Sequence, residues 1–227
     1  MRLPLLIAGF VGLAALVGSS LRPSPLGPAT ASSATLAPIG PLPARVSLCF
    51  VPAMQCDAPI AAAIRRARHS IRVQAYGFTA PMILNALGDA RARGVDVRVI
   101  LDKTNDPLDR VRRVERETSS PRLVGAQFTA AMGIPTWIDH SVAIAHNKLI
   151  IIDDALVIGG SYNFTLSAED RNAENVTFIE SADVAAAYVR NWDARRAVSR
   201  QYVPPQSFGT PPLAARPGTM PGPSGAR

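Results

Sequence analysis

One stretch of this chain concentrates residues able to act on a phosphate ester. It runs Ala145-His146-Asn147-Lys148-Leu149-Ile150-Ile151-Ile152-Asp153 and is followed by Gly159-Gly160-Ser161-Tyr162-Asn163. The apolar run after Lys148 reads as a strand, on which alternate side chains share a face, so His146 and Lys148 point the same way. An imidazole beside an ammonium suits attack on phosphorus: the ring is the nucleophile, and the ammonium neutralises the non-bridging oxygens. Gly160 lets backbone approach an anion closely, while Ser161 and Asn163 add donors without net charge. The lysine itself is informative. Only Lys103 and Lys148 are lysines among 24 basic residues, which marks them as places where a planar guanidinium would not serve. Asp153 falls on the opposite strand face from His146 and is expected to hold backbone or a neighbouring loop. His69 and His140 have no lysine two residues on and read as surface or packing histidines. No His-Glu-x-x-His, cysteine cluster or magnesium-type carboxylate group occurs, so neither metal nor cofactor is expected.

The elements that must position these residues follow from periodicity. Strands are predicted at residues 46–51, 71–76, 95–101, 135–138, 148–152, 156–158 and 175–179. Helices are predicted at 57–69 with Asp57 as N-cap, at 80–93 with Gly94 as the stop, and at 109–117, 121–132 and 182–198. The alternation predicts an α/β sandwich, a mixed central sheet flanked by helices.

Composition sets the wider frame. The 227 residues are 48% hydrophobic, ample for a core, and carry a formal charge of +7. That charge favours a polyanionic partner, nucleic acid or an anionic membrane surface. Arg110, Arg112, Arg113 and Arg116 could track a nucleic-acid backbone, or form a solvated face paired with Glu115 and Glu117. Arg2 followed by an apolar run to Val17 and small residues at Gly18 to Ser20 reads as a signal peptide, with an uncleaved anchor as the alternative. Either places the domain in the periplasm or outside the cell, where Cys49 and Cys56 would form a local disulfide; a reduced buried pair is the alternative. The organisation expected is a signal peptide at 1–20, a Pro/Ala/Ser-rich linker at 21–44, a catalytic domain at 45–202 and a disordered Pro/Gly-rich tail at 203–227.

His146-x-Lys148, four residues, Asp153, six residues, then Gly160-Ser161-x-Asn163 resembles, position for position, the signature of the phospholipase D superfamily. Ala75-Tyr76-Gly77-Phe78-Thr79-Ala80-Pro81, Arg93-Gly94-Val95-Asp96-Val97 and Ala168-Glu169-Asp170-Arg171-Asn172-Ala173-Glu174-Asn175 extend the resemblance to its small periplasmic bacterial endonucleases. The resemblance implies a phospholipase D-like fold and a phosphohistidine on His146. It further implies a phosphate clamp from Lys148 and Asn163, and a carboxylate, Glu174, holding the histidine. It also implies that Gly160, Ser161 and Asp153 bind phosphate or support the site. The reaction needs a second acid, and the chain has one motif, so a homodimer sharing one active site is expected. A nonspecific endonuclease with nucleic acid as its substrate is the expected function. Phospholipid head groups or cardiolipin are the alternative, and a non-catalytic nucleic-acid-binding module is the weaker one.

Overall fold

The computed structural model describes residues 39–107 and 125–204. The expected signal peptide, most of the linker, the Arg110 to Arg116 segment with its predicted helix, and nearly all of the tail lie outside the described residues.

Eight strands form one mixed sheet. They are β1 (Arg45–Val51), β2 (Ser70–Ala75), β3 (Asp96–Asp102), β4 (Thr136–Asp139), β5 (Lys148–Ile152), β6 (Leu156–Gly160), β7 (Glu174–Glu180) and β8 (Arg200–Gln201). Their order is β1-β7-β6-β5-β2-β3-β4-β8. The β2–β3 and β3–β4 pairs are parallel, and every other pairing is antiparallel. The helices are α1 (Asp57–Arg66), α2 (Pro81–Ala92), α3 (Gly125–Ala131), α4 (Leu166–Asp170) and α5 (Ala182–Ala197).

Strand parity divides the apolar side chains between two cores. On one face Ile71, Val73, Val99 and Ile150 pack with Ile60 and Ile64 of α1 and Ile83 and Leu87 of α2. On the other, Ile100, Leu149, Ile151 and Val157 pack with Ala185 and Trp192 of α5. Trp192 donates its indole N–H to the Val73 carbonyl at 3.0 Å, so its polar atom is satisfied inside the core. β5 is buried at all five positions because both of its faces are covered.

Several local features differ from the periodicity reading. Asp57 is the first residue of α1, not its cap; Cys56 occupies the cap position without a side-chain bond. The amides at that helix start, which have no partner within the helix, are met from a distance by Glu169, which accepts from Cys56 N at 3.0 Å and Asp57 N at 3.2 Å. Helix α1 stops at Arg66 rather than 69. The amides of Arg68, His69 and Ser70 instead turn toward the Asp153 carboxylate, at 2.9, 2.7 and 2.9 Å. Helix α2 ends as expected, with Gly94 at φ 91° just past it. The sequence reading missed α4 and β8. Thr165 starts α4 by accepting a bond from Ala168 N at 3.2 Å.

Candidate active site

The pairing of β5 with β2 brings Tyr76 to the start of the sequence motif. Lys148 opens β5 and pairs with Ala75, the last residue of β2, so the following Tyr76 reaches the His146 segment. The Tyr76 and His146 rings meet edge to face with centroids 4.9 Å apart. The Lys148 ammonium stands 5.5 Å from the Tyr76 centroid and donates to the His146 carbonyl at 2.9 Å. Imidazole, ammonium and phenol ring thus form one cluster, with Lys148 buried and His146 exposed. Burial lowers the Lys148 pKa below the ordinary lysine value, and the nearby Glu174 carboxylate offsets part of that.

The segment carrying His146 is fixed from below. The buried Asp102 carboxylate at the end of β3 accepts from Ala145 N at 2.7 Å and from Thr104 N at 2.8 Å. Nothing in the spacing pointed to Asp102; its only signal was an acid directly after the apolar run Val99-Ile100-Leu101.

The Gly160 to Asn163 turn lies at the end of β6. Gly160 sits at φ 150°, and a Cβ there would come within 2.2 Å of the Asn175 carbonyl, so only glycine fits. Ser161 donates to Glu174 Oε2 at 2.5 Å and accepts from Asn175 N at 3.0 Å. Tyr162, buried, donates to Glu169 at 2.8 Å, tying the turn to the start of α1. Burial and that carboxylate push its phenol well above the ordinary range. Asn163 follows, its Oδ1 buried without a hydrogen-bond partner. Gly77 makes room for it, since a Cβ at that position would lie 3.2 Å from Asn163 Cβ and 2.9 Å from Thr165 Cγ2. Backbone bonds from Thr79 and Ala80 to the Phe164 carbonyl, 2.8 Å each, lock the two loops together.

Of the expected supporting residues, Asp153 holds backbone, as its place on the opposite strand face implied, whereas Glu174 is engaged in an unforeseen way. The Glu174 carboxylate bonds Ser161 and, at 2.8 Å, Asn172 Nδ2, not the His146 ring of the same chain. The β7 position that puts Glu174 beside Ser161 leaves His146 across Lys148, against Tyr76. Asp153 lies at the far end of β5, with its carboxylate on three backbone amides. Burial pushes that carboxyl up, but the amides of Ser70, Arg68 and His69 outweigh it and hold it below the usual carboxylate range. Cys49 and Cys56 are joined in a disulfide. Among the described residues no group of three or more His, Cys, Asp or Glu side chains is placed to hold a metal ion.

Comparison with known proteins agrees with this geometry. Residues 60–195 match the family model described as Cardiolipin synthase, PLD-like domain. A Phospholipase D of Rickettsia bellii is 42% identical over 155 residues, covering 67% of this chain and 70% of the relative. Mitochondrial cardiolipin hydrolase of Xenopus tropicalis is 28% identical over 128 residues, 56% of this chain and 55% of its own. The solved structure of Nuc from Salmonella typhimurium, described as a phospholipase D family member, superposes with a TM-score of 0.60. It shows 33% identity over 70% of this chain and 99% of Nuc.

Proposed function

This chain belongs to the phospholipase D-like family of phosphodiester hydrolases, and from that premise we propose that it is an exported endonuclease cleaving nucleic acid through a phosphohistidine on His146. The observation that carries the reading is the cluster of an exposed imidazole and a buried ammonium on one aromatic ring. The His146 ring is open to attack phosphorus, and Lys148, held at a fixed depth beneath it, meets the non-bridging oxygens. Asn163 adds neutral donors, Gly160 lets the backbone come close, and Glu174 orders the Ser161 hydroxyl. Asp153 supports the far end of β5.

Departure of the alcohol needs an acid, and later a base for water. A second copy of the chain supplies both as the partner's own motif histidine, across a twofold axis. The outer strand supports this arrangement. Val46, Leu48 and Phe50 alternate along one face of β1, 56, 52 and 48% exposed, and Phe50 pairs with Asn175, which bonds Ser161. An apolar row beside the site is a surface that a second copy would cover.

Nucleic acid is favoured by the net charge of +7 and the resemblance to small endonucleases. Export is favoured by the N-terminal pattern and agrees with the Cys49–Cys56 disulfide. Phospholipid is the second reading, favoured by the Rickettsia bellii relative's name. Incubating the purified protein with plasmid, RNA and labelled cardiolipin, in excess EDTA, separates them. Nicked plasmid or shortened RNA with intact lipid is the expected result; lipid turnover with intact nucleic acid would reverse the assignment.

A further inference from the structure

A cleft of about 380 Å³ lies beside the His146 loop, lined by Ala75, Ile100, Val142, Ile144 and His146 itself. Gln74, on β2, lines it as well. This side chain is only 4% exposed, and its Oε1 has no hydrogen-bond partner. A buried carboxamide oxygen left unpaired is costly, so a ligand group that satisfies it would be bound strongly. The two charged residues of the cleft satisfy each other. Arg195 donates to Asp139 Oδ2 through Nε at 2.9 Å and Nη2 at 2.5 Å, and Nη2 also reaches Ser141 Oγ at 2.5 Å. The lining therefore offers no unpaired carboxylate to a cationic lipid head group and no unpaired arginine to a second phosphate.

We propose that this cleft receives the nucleobase next to the scissile phosphate, and that Gln74 reads its edge. A base has two flat apolar faces to lie against Ile100, Val142 and Ile144, and a polar edge for the carboxamide. A carboxamide presents a donor and an acceptor side by side, the pairing by which glutamine reads adenine. The unpaired Oε1 calls for an N–H donor, which the exocyclic amino group of adenine or cytosine supplies beside an accepting ring nitrogen. Gln74 is then a specificity-determining residue, and cleavage carries a base preference. This deepens the nuclease reading and rests on it.

The test is to map cleavage positions on a random-sequence single-stranded oligonucleotide pool for the full chain and for Gln74→Leu. An apolar residue of similar size suits that buried position. The wild type is expected to favour adenine or cytosine on one side of the cut by roughly fivefold or more, and Gln74→Leu to flatten the bias to within about twofold. Ile144→Trp, at an exposed cleft position, occupies the space with Gln74 left in place and should change the same bias even if Gln74→Leu fails to fold. Uniform cleavage by an active wild type, or a bias that both variants retain, would overturn the subsite alone. Absence of any nucleic-acid cleavage by the wild type would overturn the nuclease reading and the subsite with it.

Discussion

At the scale of single residues, the His146-x-Lys148 spacing was legible but its structural basis was not. His146 lies in the loop before β5 rather than on the strand, and both side chains nonetheless meet Tyr76. The partners that tune them were not legible. Glu174 bonds Ser161 and Asn172 because of how β7 pairs with β6, a long-range fact that local spacing does not carry. Asp102 was invisible for the same reason, since its partner Ala145 lies 43 residues away. His146→Asn should lower turnover by at least about 10³-fold, as loss of a nucleophile does, while circular dichroism and substrate binding stay near wild type. Label from a phosphate-labelled substrate should appear in an acid-labile, base-stable bond on His146; label on Ser161 would refute the assignment. Lys148→Arg should also be severely impaired, because the buried position beneath His146 suits a compact ammonium and not a planar fork. A near-normal rate would reduce Lys148 to a diffuse charge.

At the scale of elements, β2, β5, β6 and α2 were readable from hydrophobic runs and from Gly94. The corners were not. The end of α1 depends on Asp153, 83 to 85 residues away from the amides it holds. That contact yields a pH prediction. The folded-state pKa of Asp153 lies below the ordinary carboxylate value. Its contribution is therefore fully present above the unfolded pKa, about 3.9, and is lost as pH falls through the folded value. Asp153→Asn keeps a side chain that tolerates the φ of 50° there. It should cost about 1–2 kcal/mol at neutral pH, and the difference from wild type should vanish as acid titrates the native carboxylate. Urea unfolding at both pH values measures it, and a pH-independent difference would mean that the charge is irrelevant. The Cys49–Cys56 disulfide closes a short segment, with a sequence separation of 7, between β1 and α1. Replacing both cysteines by alanine should lower stability by about 2 kcal/mol from loop closure, read from the same unfolding curves.

At the scale of the whole molecule, the sequence offered a candidate catalytic motif but not the surface that would complete it. The β1 row of Val46, Leu48 and Phe50 becomes visible only once β1 is known to be the outer strand beside β7. Leu48→Asp together with Phe50→Asp should keep the fold, yield a monomer by sedimentation and lower activity at least about 100-fold by separating the two histidines. The central claim, two chains around one site, is tested most directly by subunit mixing. Wild type and His146→Asn are refolded together in equal amounts at fixed total concentration, and activity is compared with wild type alone. If two His146 side chains serve one shared site, random pairing leaves both histidines in about a quarter of the dimers, and activity falls to about a quarter. Activity of about half would show that each chain carries a complete site of its own, and would contradict the shared-site account.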